Sequence, residues 1–249
     1  MVENIKFIRY CGSKEDYRDY IYKPKNQTLS SFVDLREANS LVEDQSSLGS
    51  CTGQALTAAY ELMTMKKYPT KFIELSEMFV YYNSRTFDNT VDVDIGATIK
   101  NGLKGLKTYG VCKEELWPYD IEKFTVKPSE EAYAEALQRK IPTYYLVLGQ
   151  NNIIDALNSG YPVIIGIDIF ESFMYLDKNN YMLSVRDYND NPMGGHALLI
   201  VGYDLDKKSF LVQNSFGPEW GLNGYFYMTF EYADEYVFES WIYDIADLT

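Results

Sequence analysis

The hydrophobic pattern changes character near Lys140, and this limits the fold more than any other feature of the 249-residue sequence. Before that point, apolar residues recur at three- and four-residue steps, the spacing of helices. Ala55, Leu56, Ala58, Ala59, Leu62 and Met63 define one helix reaching about Lys67, ahead of Pro69. Residues 73–86 and 96–109 predict two more, with Gly110 as a C-terminal stop, and 129–139 a fourth, with Ser129 as N-cap. After that point β-branched and aromatic residues dominate. Residues 143–148, 162–170, 195–203, 210–214 and 224–230 read as strands, with a short helix at 151–158. Helices followed by mainly antiparallel strands predict an α+β chain of two lobes: helical over about 34–140, β over about 141–249. Residues 1–33 are polar and tyrosine-rich and read as an extended arm laid on this domain.

The net charge of −13 argues against nucleic acid or an anionic membrane as a partner. No apolar run approaches the roughly 18 residues of a membrane span. The first seven residues carry no apolar leader, so no secretory signal is expected. A cytoplasmic or virion-packaged protein fits these signs. Three cysteines (Cys11, Cys51 and Cys112) are too few and too odd for a disulfide framework, although a Cys11–Cys112 bridge stays open. With one histidine and no C-x-x-C, no metal site and no cofactor is expected.

The chemistry gathers on two stretches. In residues 45–55, Gly49 and Ser50 make a tight turn and Cys51 stands where the helical pattern begins. Unpaired amides and the helix dipole at that end favour an anion, so a lowered thiol pKa is expected. The second stretch is a hairpin. His196 follows Gly194 and Gly195, and the chain turns around residues 204–208. A turn centred there pairs positions summing to about 410 or 411, which sets His196 opposite Asn214. An asparagine beside a histidine fixes its ring and tautomer, the orienting role in a nucleophile–base–orienter triad.

Cys51, His196 and Asn214 in that order, with Gly49-Ser50-Cys51, Gly195-His196-Ala197, Val201-Gly202-Tyr203, Asn214-Ser215-Phe216-Gly217 and Trp220-Gly221, resemble the papain-like (C1) cysteine peptidases. The resemblance runs from about Asp34 to Tyr227. It implies a two-lobe fold with the active site between a helical lobe and a β-barrel-like lobe. It also implies a thioester mechanism, an extended peptide or protein substrate, and Gln45 as oxyanion donor. Ile95 and Gly96 match the backbone that pairs with substrate, Phe173 is a candidate wall of the specificity pocket, and Trp220 a wall on the leaving-group side. Leu48 stands where plant and lysosomal members carry a disulfide cysteine, and Phe216 where they carry a tryptophan. Residues 16–20, 33–36, 48–52, 75–77, 81–85 and 117–119 are more similar to the bacterial, archaeal and large-virus branch, with its short N-terminal arm. Two questions stay open: whether the arm restrains the enzyme from within the cleft or is permanent packing, and whether the chain is a peptidase or a catalytically silent papain-like binding protein.

Overall fold

The computed structural model describes residues 12–25, 27–36 and 41–247. Its centre is α1 (Cys51–Lys67), in which every residue from Cys51 to Thr64 is buried. Apolar and small residues surround this helix instead of marking one stripe, as in a helix packed on all sides. α2 (Glu77–Thr86) starts where the Ser76 hydroxyl accepts the Phe79 N–H, four residues later than the sequence periodicity suggests. α3 (Ile99–Thr108) is capped in the same way by Thr98, which leaves Gly96 in a non-helical segment. Gly110 ends it at φ +80, and its N–H donates to the Leu106 carbonyl. α4 (Glu130–Ala136) is capped by Ser129 as expected.

The strands form one sheet. β1 (Phe32–Asp34) and β2 (Tyr144–Leu146) precede α5 (Gln150–Asn158) and β3 (Val163–Phe170). Then come β4 (Met182–Leu183), β5 (Pro192–Asp204), β6 (Ser209–Gln213), β7 (Tyr225–Thr229), α6 (Phe230–Tyr236) and β8 (Val237–Tyr243). The order is β2-β8-β3-β5-β6-β7-β4, with β1 also on β5. All pairings are antiparallel except β4 with β7.

Period-two alternation divides the two faces of the sheet. Ala197, Leu199 and Val201 of β5 turn toward α1, together with Ile164, Leu211 and Trp241. Leu198 and Ile200 turn the other way, onto Ile153 and Leu157 of α5, Ile165 of β3 and Phe226. β5 is thus buried on both faces, which explains its unbroken apolar run. Each fully buried aliphatic side chain here contributes about 1.5–3 kcal/mol.

α6 and β8 go beyond the sequence expectation, which stops at Phe230. Residues 230–243 contain no Gly, Pro or Asn to mark the helix-to-strand change, and acidic residues interrupt the apolar alternation. Yet β8 lies between β2 and β3, inside the sheet.

The arm residues touch elements from both halves of the chain. The Ser13 N–H donates to Glu239 of β8 at 2.8 Å. Lys100 of α3, 5% exposed, donates to Asp19 at 2.6 Å. Tyr22 is buried, pairs its backbone with Leu146 and donates its hydroxyl to Asp155 of α5 at 2.6 Å. Ser30 and Ser31 then reach Asn158, Tyr203 and Leu205.

Candidate active site

Cys51 is the first residue of α1 and is 1% exposed. Burial pushes its thiol up to about 11. The amide N–H groups of Ala197, Thr52 and Cys51 itself pull in the other direction, as the helix end should, but desolvation outweighs them. The lowered value expected from the helix terminus is therefore not that of this covered arrangement. The Ala197 amide also links the sulfur to the strand carrying His196.

His196 is fully buried on β5, opposite Ile167 of β3. Its Nε2 and Asn214 Oδ1 are 2.9 Å apart. With the proton on Nε2, that nitrogen donates to Asn214 and Nδ1 keeps its lone pair. The register that joins them differs from the expected one. Leu199 pairs with Gln213 and Ile200 with Val212, and a bulge between Ile200 and Gly202 shifts the hairpin. His196 and Asn214 are thus not directly opposed. Asn214 has left the ladder, its N–H donating to the Gly224 carbonyl, and it reaches His196 diagonally. Its Oδ1 also accepts the Ser215 N–H at 2.8 Å, which fixes the amide plane.

Gln45 is completely buried on the loop before α1. Its backbone N–H donates to the Ser215 carbonyl, and the Gly217 N–H donates to the Glu43 carbonyl, so this loop is laced to the asparagine segment. The Gln45 Oε1 accepts the Ser215 hydroxyl at 2.6 Å, and Nε2 donates to the Leu48 carbonyl at 2.9 Å. That leaves the second Nε2 hydrogen for another acceptor. Tyr119 supports the loop from behind, its hydroxyl donating to the Gln45 carbonyl at 2.9 Å and lying 2.5 Å from Ser50 Oγ.

An aromatic group encloses the histidine. Phe216 stacks on it with centroids 5.4 Å apart, and Phe173 meets it edge-on at 5.8 Å. Trp220 is half-buried and packs against both Phe216 and Phe173. Phe216 covers the contact although it is smaller than tryptophan, because Phe173, Trp220 and Phe226 fill in around it. Phe173, a candidate pocket wall from sequence, is fully buried in this group and packs on His196, Phe216 and Trp220. Ile95 is 51% exposed and Gly96 is buried at φ +81, adjoining Gly49 in the loop before α1.

Sequence reasoning gave Ser215, Asp94 and Tyr119 no role of their own. Ser215 follows Asn214 directly, and that adjacency was the available signal. Cys112 is a free thiol, fully buried and pushed up to about 12 by desolvation. Cys11, and with it the Cys11–Cys112 pairing, lies outside the described residues. Among the described residues no cluster of three or more His, Cys, Asp or Glu could hold a metal, and no helix is long and apolar enough to cross a membrane.

A family model described as papain family cysteine protease matches residues 29–243. An uncharacterized peptidase C1-like protein of Acanthamoeba polyphaga mimivirus is 38% identical, over 91% of this chain and 82% of its own. Cysteine proteinase 3 of Dictyostelium discoideum is 30% identical, over 79% of this chain and 58% of its own. Among solved structures, xylellain, a cysteine protease from Xylella fastidiosa, superposes with a TM-score of 0.89 at 31% identity, covering 97% of both chains. The digestive procathepsin L 3 of Tenebrio molitor, at 21% identity and a TM-score of 0.69, is similar in fold; 90% of this chain and 73% of that one are covered.

Proposed function

The chain belongs to the papain family of cysteine proteases, and from that premise we propose that it cleaves peptide bonds through a thioester on Cys51, with His196 moving the proton. The 2.9 Å contact between His196 and Asn214, on the strand whose Ala197 amide reaches the Cys51 sulfur, carries this reading. His196 takes the thiol proton and the thiolate adds to the scissile carbonyl carbon. The oxyanion is received by the free Gln45 Nε2 hydrogen and the Cys51 N–H, where a side-chain donor of this kind contributes roughly 3–4 kcal/mol. The C–N bond then breaks and His196 gives its proton to the leaving amine. Water, losing a proton to His196, attacks the thioester and frees the carboxylate. Asn214 holds the ring in the tautomer that each transfer requires. Substrate lies extended along Ile95 and Gly96, whose backbone suits many sequences, with Trp220 beside the leaving group.

The covered state is a restrained one. Cys51 and His196 are both out of contact with solvent, and burial keeps the thiol protonated. The arm bridges α3 and β8 through Lys100–Asp19 and Glu239–Ser13, next to the segment beginning at Gly96. Its withdrawal is proposed to open the cleft, hydrate the thiol and lower its pKa. Hydrolysis of a protein substrate by the wild-type chain, absent in Cys51→Ala, tests the reading. Equal hydrolysis by the variant would sink it.

A further inference from the structure

Asp94 lies outside the triad and outside the oxyanion donors, yet its carboxylate meets three parts of the site. Both of its oxygens accept the Gly49 N–H, at 3.0 and 3.2 Å. The Tyr81 hydroxyl donates to Oδ1 at 2.5 Å. Ile95 and Gly96 follow it directly in the chain. Tyr81 is fully buried, with the Arg85 guanidinium 4.0 Å from its ring centroid. Arg85 in turn donates to the carbonyls of Val91 and Val93, just before Asp94. α2 therefore holds the carboxylate through Tyr81 and the backbone just before it through Arg85.

The Gly49 N–H belongs to the Leu48–Gly49 peptide, whose carbonyl accepts the Gln45 Nε2 at 2.9 Å. A peptide is planar, so fixing its N–H at one edge aims its C=O at the opposite edge. Asp94 pins the N–H, and Gln45 rests on the C=O. There is little slack between these parts. A methyl group at Gly49 would lie 3.0 Å from Asp94 Oδ1 and 3.3 Å from the Gly96 nitrogen. Without the carboxylate, a buried N–H would lack its acceptor and the peptide could turn. The Gln45 amide would then keep only its Ser215 contact.

We infer that Asp94 is a positioning residue: through the Leu48–Gly49 peptide it aims the Gln45 amide at the acyl oxygen, and it ties that donor to the substrate edge at Ile95–Gly96. This rests on Gln45 acting as oxyanion donor in the peptidase reaction. An interaction realised in the transition state appears in kcat more than in KM. Alkylation of Cys51 by iodoacetamide forms no oxyanion and does not use Gln45.

The test measures peptide hydrolysis and iodoacetamide alkylation in the full chain for wild type, Asp94→Ala, Asp94→Asn, Gln45→Ala and the Gln45→Ala/Asp94→Ala double variant. In Asp94→Ala, kcat should fall roughly 10- to 100-fold, the scale of a small misplacement, with alkylation at the wild-type rate. The double variant should be no slower than Gln45→Ala. Asp94→Asn, which keeps one acceptor, should recover most of kcat. If Asp94→Ala does not fold, Tyr81→Phe removes one donor to the carboxylate, keeps the ring, and should lower kcat in the same direction. Losses that multiply in the double variant, alkylation falling in step with kcat, or wild-type kcat in both Asp94→Ala and Tyr81→Phe would overturn the inference. A wild-type chain that alkylates at Cys51 but hydrolyses nothing would instead overturn the peptidase reading, and the inference with it.

Discussion

His196 and Asn214 meet at 2.9 Å although their strands are not in register to oppose them. The contact exists because Asn214 leaves β6 one residue after the strand ends and is held there by the Gly224 carbonyl and the Ser215 N–H. Asn214 thus sits on a braced corner. Asn214→Ala should keep the fold and lower kcat, with a smaller change in KM, because the ring loses its tautomer control. Unchanged kcat would remove Asn214 from the site.

Gln45→Ala should slow turnover by about 10²–10³. It also deprives the Ser215 hydroxyl and the Leu48 carbonyl of their partner. Circular dichroism run beside the kinetics would separate catalytic loss from unfolding. Full activity in a folded Gln45→Ala variant would show that the oxyanion is held elsewhere.

Stability should fall as pH rises from about 4.5 to about 7. Burial raises Glu61 and Glu77 well above the ordinary carboxylate range; the charges of Glu43, Glu74 and Glu114 add to the shift of Glu61, and that of Glu61 adds to the shift of Glu77. Burial likewise pushes Glu114 up to about 7. The native chain therefore keeps protons that the unfolded chain releases near the ordinary glutamate value of about 4.3. A native state that binds more protons loses stability with rising pH. The depressed carboxylates, Asp34 and Asp204 among them, act at lower pH and leave this window alone. A melting temperature that climbs across the window would contradict the account.

Gly110→Ala should be strongly destabilising. The residue sits at φ +80, and an added methyl would lie 1.9 Å from the Ala136 carbonyl oxygen. Strain in the left-handed region and a backbone clash act together there, each costing on the order of 1–3 kcal/mol. Wild-type melting would mean that the α3 and α4 ends can part.

The arm offers a separable prediction. Asp19→Asn removes the charge paired with the nearly buried Lys100. Deleting residues 1–28 removes the contacts of Ser13, Asp19 and Tyr22 as well. If the arm restrains the enzyme, both changes raise initial activity. Lower activity together with insolubility in both would show the arm to be structural packing.

Much of the fold was readable in the sequence because the decisive signals are local. Ser129 and Gly110 mark helix ends, and the strands after residue 140 carry their own β-branched pattern. The nearness of His196 and Asn214 was readable from their spacing in the hairpin and from the family resemblance. The register was not, since a bulge in β5 leaves no mark that a hairpin sum can detect. β8 was missed because its burial comes from neighbours distant in sequence. Asp94 and Ser215 were missed for a related reason: each acts on a partner more than forty residues away, Gly49 and Gln45 respectively. The state of the thiol was also beyond the sequence, because helix position alone argues for a lowered pKa while burial reverses it.

The most direct test of Cys51 as nucleophile is intact-mass analysis after treatment with a peptidyl epoxide under reducing conditions near pH 6, followed by peptide mapping. The full chain and the chain lacking residues 1–28 are compared. The account predicts one adduct, on Cys51 and none on Cys112, forming faster in the truncated chain. A folded protein that carries no adduct on Cys51 in either form, or carries it on Cys112, would contradict the account.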